Sequence, residues 1–281
     1  MKLIKLITFA LAVFSATILS AQQVSIPSNI KAITAQSTSM NKDVNVFVVL
    51  PEDYDKNKET RYPVIYLLHG FGGNHTTWAV KTKPNLDRLA TKHQVIFVCP
   101  DGSTSWYWDA PNNPAFKYET FVSKELIEYI DKNYRTIANK NGRAITGFSM
   151  GGHGGLWLGF RHPDVFGSCG SMSGGVDIRP FPLSWKMAES LGDYASNESV
   201  WDSHTVINQL HKLHPKNMPS IIIDCGTSDF FFEVNEALHK KMLYMRIPHE
   251  YITRPGAHTH KYWNNAVDTQ IAFFLKRFQR N

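Results

Sequence analysis

The stretch "RAITGFSMGGHGG", residues 143–155, decides how this chain folds. A short apolar run leads into Gly147-Phe148-Ser149-Met150-Gly151, a G-x-S-x-G, and continues into a helix-like run that ends before Pro163. Between a strand and a helix this pattern is a nucleophile elbow, which forces the serine into a strained backbone geometry. The positions two before and two after must be almost free of side chain, because strand and helix close on each other there. Glycines stand at 147 and 151. The helix N-terminus also aims its unpaired N–H groups at the serine. A phosphate loop would need the lysine of G-x-x-x-x-G-K-[ST], which is missing.

Outward from the elbow, apolar strand-like runs alternate with helix-like ones. Residues 44–51, 62–70 and 94–102 read as strands, and 118–136 as a helix with apolar positions every three to four residues. A weaker strand covers 166–175, and strands at 219–229 and 250–256 are each followed by a helix. This interleaving predicts an α/β fold, a mostly parallel central sheet with helices on both faces. Residues 22–42 are polar and read as an exposed lead-in. Residues 176–218, with several prolines and tryptophans, break the alternation and read as an inserted cover segment. The remainder reads as a single domain, 22–281.

The first 21 residues have the order of a secretory signal peptide: lysines, an apolar run, then small residues at Ser20–Ala21. They predict an exported chain, secreted or periplasmic, with no membrane span after cleavage. The net charge of +6 comes from no basic run or helix face, so neither nucleic acid nor membrane is an expected partner. Cys99, Cys169 and Cys225 are odd in number and widely spaced, and each sits in or beside an apolar run. They read as buried free thiols rather than a disulfide framework or zinc site.

Ligands of open parallel sheets bind beyond the C-terminal ends of the strands. A serine nucleophile there needs a base, an orienting acid and an oxyanion hole. One oxyanion donor is expected from the N–H of Met150. The other is expected from "HGFGG", 69–73, with Phe71 N–H the first choice and Gly72 the alternative. The acid lies in "IIIDCGTSD": Asp224 falls inside the apolar strand, whereas Asp229 lies past its end and can reach the elbow. The base follows the last strand in "PGAHTHKYW", which offers His258 and His260. As metal ligands this pair would want a third partner, and the other histidines show no matching motif. No metal and no cofactor are expected.

These motifs, together with "PDGSTSWYWD" at 100–109, resemble the esterase D-like branch of the α/β-hydrolases. That branch includes tributyrin esterases, S-formylglutathione hydrolases, mycolyltransferases, and the feruloyl and acetylxylan esterases of the first carbohydrate esterase family. The resemblance runs over about residues 40–280. It implies an α/β-hydrolase fold and a serine carboxylesterase in which Ser149, Asp229 and His258 are catalytic. His260 stands where the family often has Trp or Phe, and so falls at a substrate-contact position. The aromatics Trp106, Tyr107 and Trp108 follow a strand's C-terminal end and are candidates to line the substrate pocket. Export and the aromatic-rich loop favour acetyl or feruloyl esters of plant polysaccharide, or related small acyl esters. Acyl transfer of the mycolyltransferase type, S-formylglutathione hydrolase-like thioester cleavage and non-catalytic glycan binding are the alternatives.

Overall fold

A computed structural model describes residues 26–278. The expected signal segment, 1–21, lies outside the described residues. Among the described residues eight strands form one sheet: β1 (Ile30–Ser37), β2 (Lys42–Val49), β3 (Val64–Leu68), β4 (Ile96–Pro100), β5 (Arg143–Gly147), β6 (Ser168–Met172), β7 (Ser220–Gly226) and β8 (Glu250–Arg254). Their spatial order is β1-β2-β4-β3-β5-β6-β7-β8. The strand β2 runs antiparallel to both neighbours, and every pairing from β4 to β8 is parallel. This is the α/β-hydrolase arrangement.

The strands β3, β5 and β6 are buried at every position. A parallel strand covered on both faces has no polar side, which is why β3 reads as a continuous apolar run, whereas β6, Ser-Cys-Gly-Ser-Met, is buried without being apolar and so reads as the weaker strand. Alternate residues of β3 still serve different layers. Ile65 and Leu67 pack with α1 (Leu86–His93) and α8 (His260–Leu275). Tyr66 and Leu68 face the layer of α2 (Tyr118–Thr120), α3 (Leu126–Asn133), α4 (Met150–Arg161) and α7 (Phe232–Tyr244). The helix expected over 118–136 ends at Asn133, and a π-helical turn at Phe121–Glu125 separates α2 from α3. The three cysteines are buried free thiols.

Two segments differ from, or refine, their sequence reading. Residues 30–37 belong to the sheet rather than to an exposed lead-in, since all eight residues of β1 pair with β2. The strand was hard to see because Ile30 and Ala35 are its only buried apolar residues. Its stability comes from backbone pairing with β2, supported by Ser37 Oγ donating to Glu125 at 2.6 Å. Residues 176–218 hold α5 (Met187–Leu191), α6 (Glu198–Ser203) and several short turns. Their apolar side chains, among them Ile178, Met187 and Trp201, enter the core of the α4 layer.

His153, in α4, lies wholly within that layer, edge-on to Trp106 and Trp108 and stacked on Trp157. Burial is the main cause that holds its pKa down at about 3, from an ordinary 6.5. Its Nδ1–H donates to the Gly175 carbonyl at 3.0 Å. Because the unfolded chain binds a proton here that the folded one refuses, stability rises with pH across that interval. The contribution is complete above pH 6.5 and is lost as pH falls towards 3. We expect urea denaturation to show stability declining below pH 6.5, with His153→Phe removing up to about 1 kcal/mol per pH unit of that slope. Identical slopes in the two proteins would show that the burial of this imidazole is not what governs acid sensitivity.

Candidate active site

Ser149 joins β5 to α4 with φ 58° and ψ −121°. A non-glycine residue held there costs about 1–3 kcal/mol and persists only where its surroundings over-determine it. Here they do. The Ser149 N–H donates to the Met172 carbonyl at the end of β6, and its own carbonyl accepts from His153 N–H, both at 3.0 Å. A Cβ added at Gly147 would stand 2.4 Å from the Leu68 carbonyl oxygen, and one at Gly151 2.2 Å from the same atom. Thus β3, β5 and α4 meet backbone to backbone under the serine.

Two loops at the same end of the sheet bring partners to Ser149. His258 lies between β8 and α8, and its Nε2 is 2.9 Å from Ser149 Oγ. Its Nδ1 is 2.9 and 3.0 Å from the two Asp229 carboxylate oxygens. An ionised carboxylate only accepts, so Nδ1 carries the proton and Nε2 is left to accept from the serine hydroxyl. The Asp229 side chain is fully buried, that of His258 16% exposed. Asp229 Oδ1 also accepts from Phe231 N–H at 2.9 Å, which fixes the carboxylate. The two loops are tied together by Ser228 N–H donating to Gly256 O at 2.9 Å.

Asp224 is engaged elsewhere: within β7 it accepts from the Tyr262 hydroxyl and from Arg254. Burial pushes its pKa up, against those partners. It joins β7, β8 and α8, and Asp229 is the carboxylate that bonds the histidine beside the serine.

Residues 69–73 lie against the elbow, where a Cβ on Gly70 would stand 3.2 Å from Ser149 Cβ. Gly73 N–H donates to Gly70 O at 3.0 Å, and Gly72, at φ 76°, occupies the turn position that favours glycine. The Phe71 N–H takes no part in that turn bond. Met150 N–H, at the first position of α4, has no helical acceptor. His69 braces the loop, with Nδ1 2.8 Å from Gly70 O and Nε2 accepting from Gly102 N–H at 2.7 Å.

Above Ser149 and His258 opens a cavity of about 610 Å³. Its lining combines the aromatic rings of Phe71, Trp185, Phe230 and Trp263 with the polar side chains of Asn74, Thr76, Thr77, Lys81 and His260. His260 therefore does line the cavity. It is held by Thr82 Oγ1 at 2.9 Å from its Nδ1, and burial above all keeps its pKa below the ordinary histidine range.

Trp106 and Tyr107 correct the sequence reading, for neither lines this cavity. They are 1% and 0% exposed, each at a positive φ, and so turn into the interior. Trp106 supports Trp185 from behind, with ring centres 5.9 Å apart, and the Tyr107 hydroxyl donates to His69 O at 3.1 Å. Three aromatics take the places at the site instead. Trp263 stacks on Phe148 at 4.2 Å and stands perpendicular to His258 at 4.8 Å. Phe230 packs on His258 at 4.2 Å and on Trp185 at 5.8 Å. Two of these had a local signal: Phe230 directly follows the acid, and Trp263 lies one helical turn after His260. Trp185 had none.

Residues 37–274 match a family described as "Putative esterase". The chain belongs to this family, the esterase D-like α/β-hydrolases. An esterase of Mycobacterium tuberculosis is 30% identical over 252 residues, 79% of this chain and 54% of that protein. An "Endo-1,4-beta-xylanase/feruloyl esterase" of Xylanibacter ruminicola is 38% identical over 158 residues, 53% of this chain and 22% of that protein. The chain thus spans about half the length, or less, of these curated relatives. Among solved structures, a ferulic acid esterase superposes with a TM-score of 0.76 at 30% identity, covering 89% of this chain and 98% of its own.

The glycine requirement in this esterase-family elbow is directly testable. Gly151→Ala should destabilise the fold by at least about 2 kcal/mol, because its Cβ has only backbone to push against. Thermal unfolding measures it, and an unchanged midpoint would show that the elbow tolerates a side chain.

Proposed function

We propose that this chain is a serine carboxylesterase working through an acyl-enzyme. The observation that carries the reading is the continuous relay Asp229–His258–Ser149, with 2.9 Å contacts on both sides of the imidazole, at an open cavity. In this reading His258 Nε2 removes the Ser149 proton as Oγ attacks the ester carbonyl. Asp229 holds the imidazole in the required tautomer and stabilises its charged form. Phe71 and Met150 N–H donate to the developing oxyanion. The protonated His258 then delivers its proton to the leaving alcohol, and a water activated by the same base releases the acid.

For the substrate, we infer acetyl or feruloyl esters of plant polysaccharide, processed outside the cytoplasm by an exported chain. The likeness to a feruloyl esterase supports this, as do the flat faces of Trp185 and Phe230, which suit a planar aromatic acyl group. In the same reading, residues 176–218 act as the cover that presents Trp185 to the cavity.

Ser149→Ala should lower kcat on para-nitrophenyl acetate by at least about 10³-fold, since the three groups act as a unit. Near-native turnover in that variant would refute the assignment. The two neighbouring histidines should separate: His258→Ala should lose comparable activity, whereas His260→Ala should mainly change KM. Rates on para-nitrophenyl acetate and butyrate, methyl ferulate and acetylated xylan define the acyl preference. A strong preference for butyrate over ferulate and acetylxylan would count against a polysaccharide esterase.

A further inference from the structure

Among the polar residues that line the cavity, one carries a charge that the ester chemistry leaves unused. Lys81 lines the cavity and is exposed at its mouth. Among the described residues no aspartate or glutamate pairs with it, and no lining side chain is acidic. Two acids on the elements that adjoin the site are already paired. Asp229 lies buried behind His258, and Asp268 pairs with Lys83 at 2.8 Å.

The backbone beneath Lys81 is also fixed. It belongs to a π-helical turn, Thr77–Thr82, whose end is pinned to α8. Thr82 bonds His260 through its hydroxyl and accepts from Asn264 Nδ2 through its carbonyl at 2.7 Å. Lys83, almost wholly buried, bonds both Asp268 and the Asn264 carbonyl. The ammonium is therefore an exposed cation on a backbone tied to α8, lining the same cavity as His260, Thr76 and Thr77.

We propose that Lys81 gives this site a preference for esters that carry a carboxylate, with the charged group reaching Lys81 and the aromatic rings of the same cavity taking the apolar part. This rests on the esterase reading and narrows it to acidic substrates. A carboxylate on the alcohol half, as in an ester of an acidic sugar, and one on the acyl half present the same group to Lys81. An exposed cation is screened by solvent, so the discrimination should be modest, about 5-fold. It should also shrink as salt shortens the Debye length.

The test uses two pairs of esters, each blocked or free at one carboxyl. For the alcohol half, para-acetoxybenzoate is compared with its methyl ester. For the acyl half, the mono-para-nitrophenyl ester of adipate is compared with its methyl-blocked form. Each kcat/KM is divided by the hydroxide-catalysed rate to remove intrinsic reactivity.

The expected result is about a 5-fold preference for the free carboxylate in at least one pair at low salt. It should be retained in Lys81→Arg, abolished in Lys81→Gln and reversed in Lys81→Glu. No preference in either pair, or a preference that survives in Lys81→Gln, overturns the proposal. Absence of turnover on every ester, para-nitrophenyl acetate included, would instead overturn the esterase reading beneath it.

Discussion

The contact on which this structure depends is the meeting of three backbones under Ser149. Gly147 and Gly151 bring β5 and α4 against the Leu68 carbonyl of β3, at a distance where no Cβ fits. That closeness leaves the serine no relaxed conformation and drives it to φ 58°. The strain is small beside the burial of the central strands, which are covered on both faces. A well-packed parallel sheet can therefore hold one uncomfortable residue indefinitely. The same turn presents the hydroxyl outward at the N-terminal end of a helix.

The remaining parts of the site follow from the parallel sheet. Parallel strands place all their C-terminal ends on one edge, so loops far apart in sequence reach one point. Ser149, Asp229 and His258 come from the ends of β5, β7 and β8. Hydrogen bonds between the loops, such as Ser228 to Gly256, remove the slack that separate loops would have. Aromatic packing does the rest. Trp263 touches both the elbow's Phe148 and the imidazole of His258, so one ring packs against two of the elements that meet at the site.

The fold and the relay were largely legible because they depend on patterns with a strict local cause. An elbow needs glycine at fixed offsets, and a doubly covered strand with no polar side, such as β3, reads as a continuous apolar run. Asp224 and Asp229 could be told apart by position relative to the strand's end, and the structure gives Asp224 a structural partner set in Tyr262 and Arg254. The readings that failed lacked such a cause. The strand β1 is recorded in pairing rather than in its own composition, with two buried apolar residues in eight. Trp106 and Tyr107 follow a strand's C-terminal end, as pocket residues do, but positive φ at both turns their rings inward.

By itself, the sequence determined the class of fold, the elbow and the order of the three relay residues along the chain. Each of these is imposed by steric or periodic rules acting within a few residues. Only the tertiary structure decided which aromatic rings face the cavity, that His260 bonds Thr82 while His258 bonds Ser149, and that Lys81 lines the site with no acidic partner among the described residues. Those outcomes depend on where loops separated by tens or hundreds of residues come to rest. That is set by packing across the whole sheet, which no local pattern encodes.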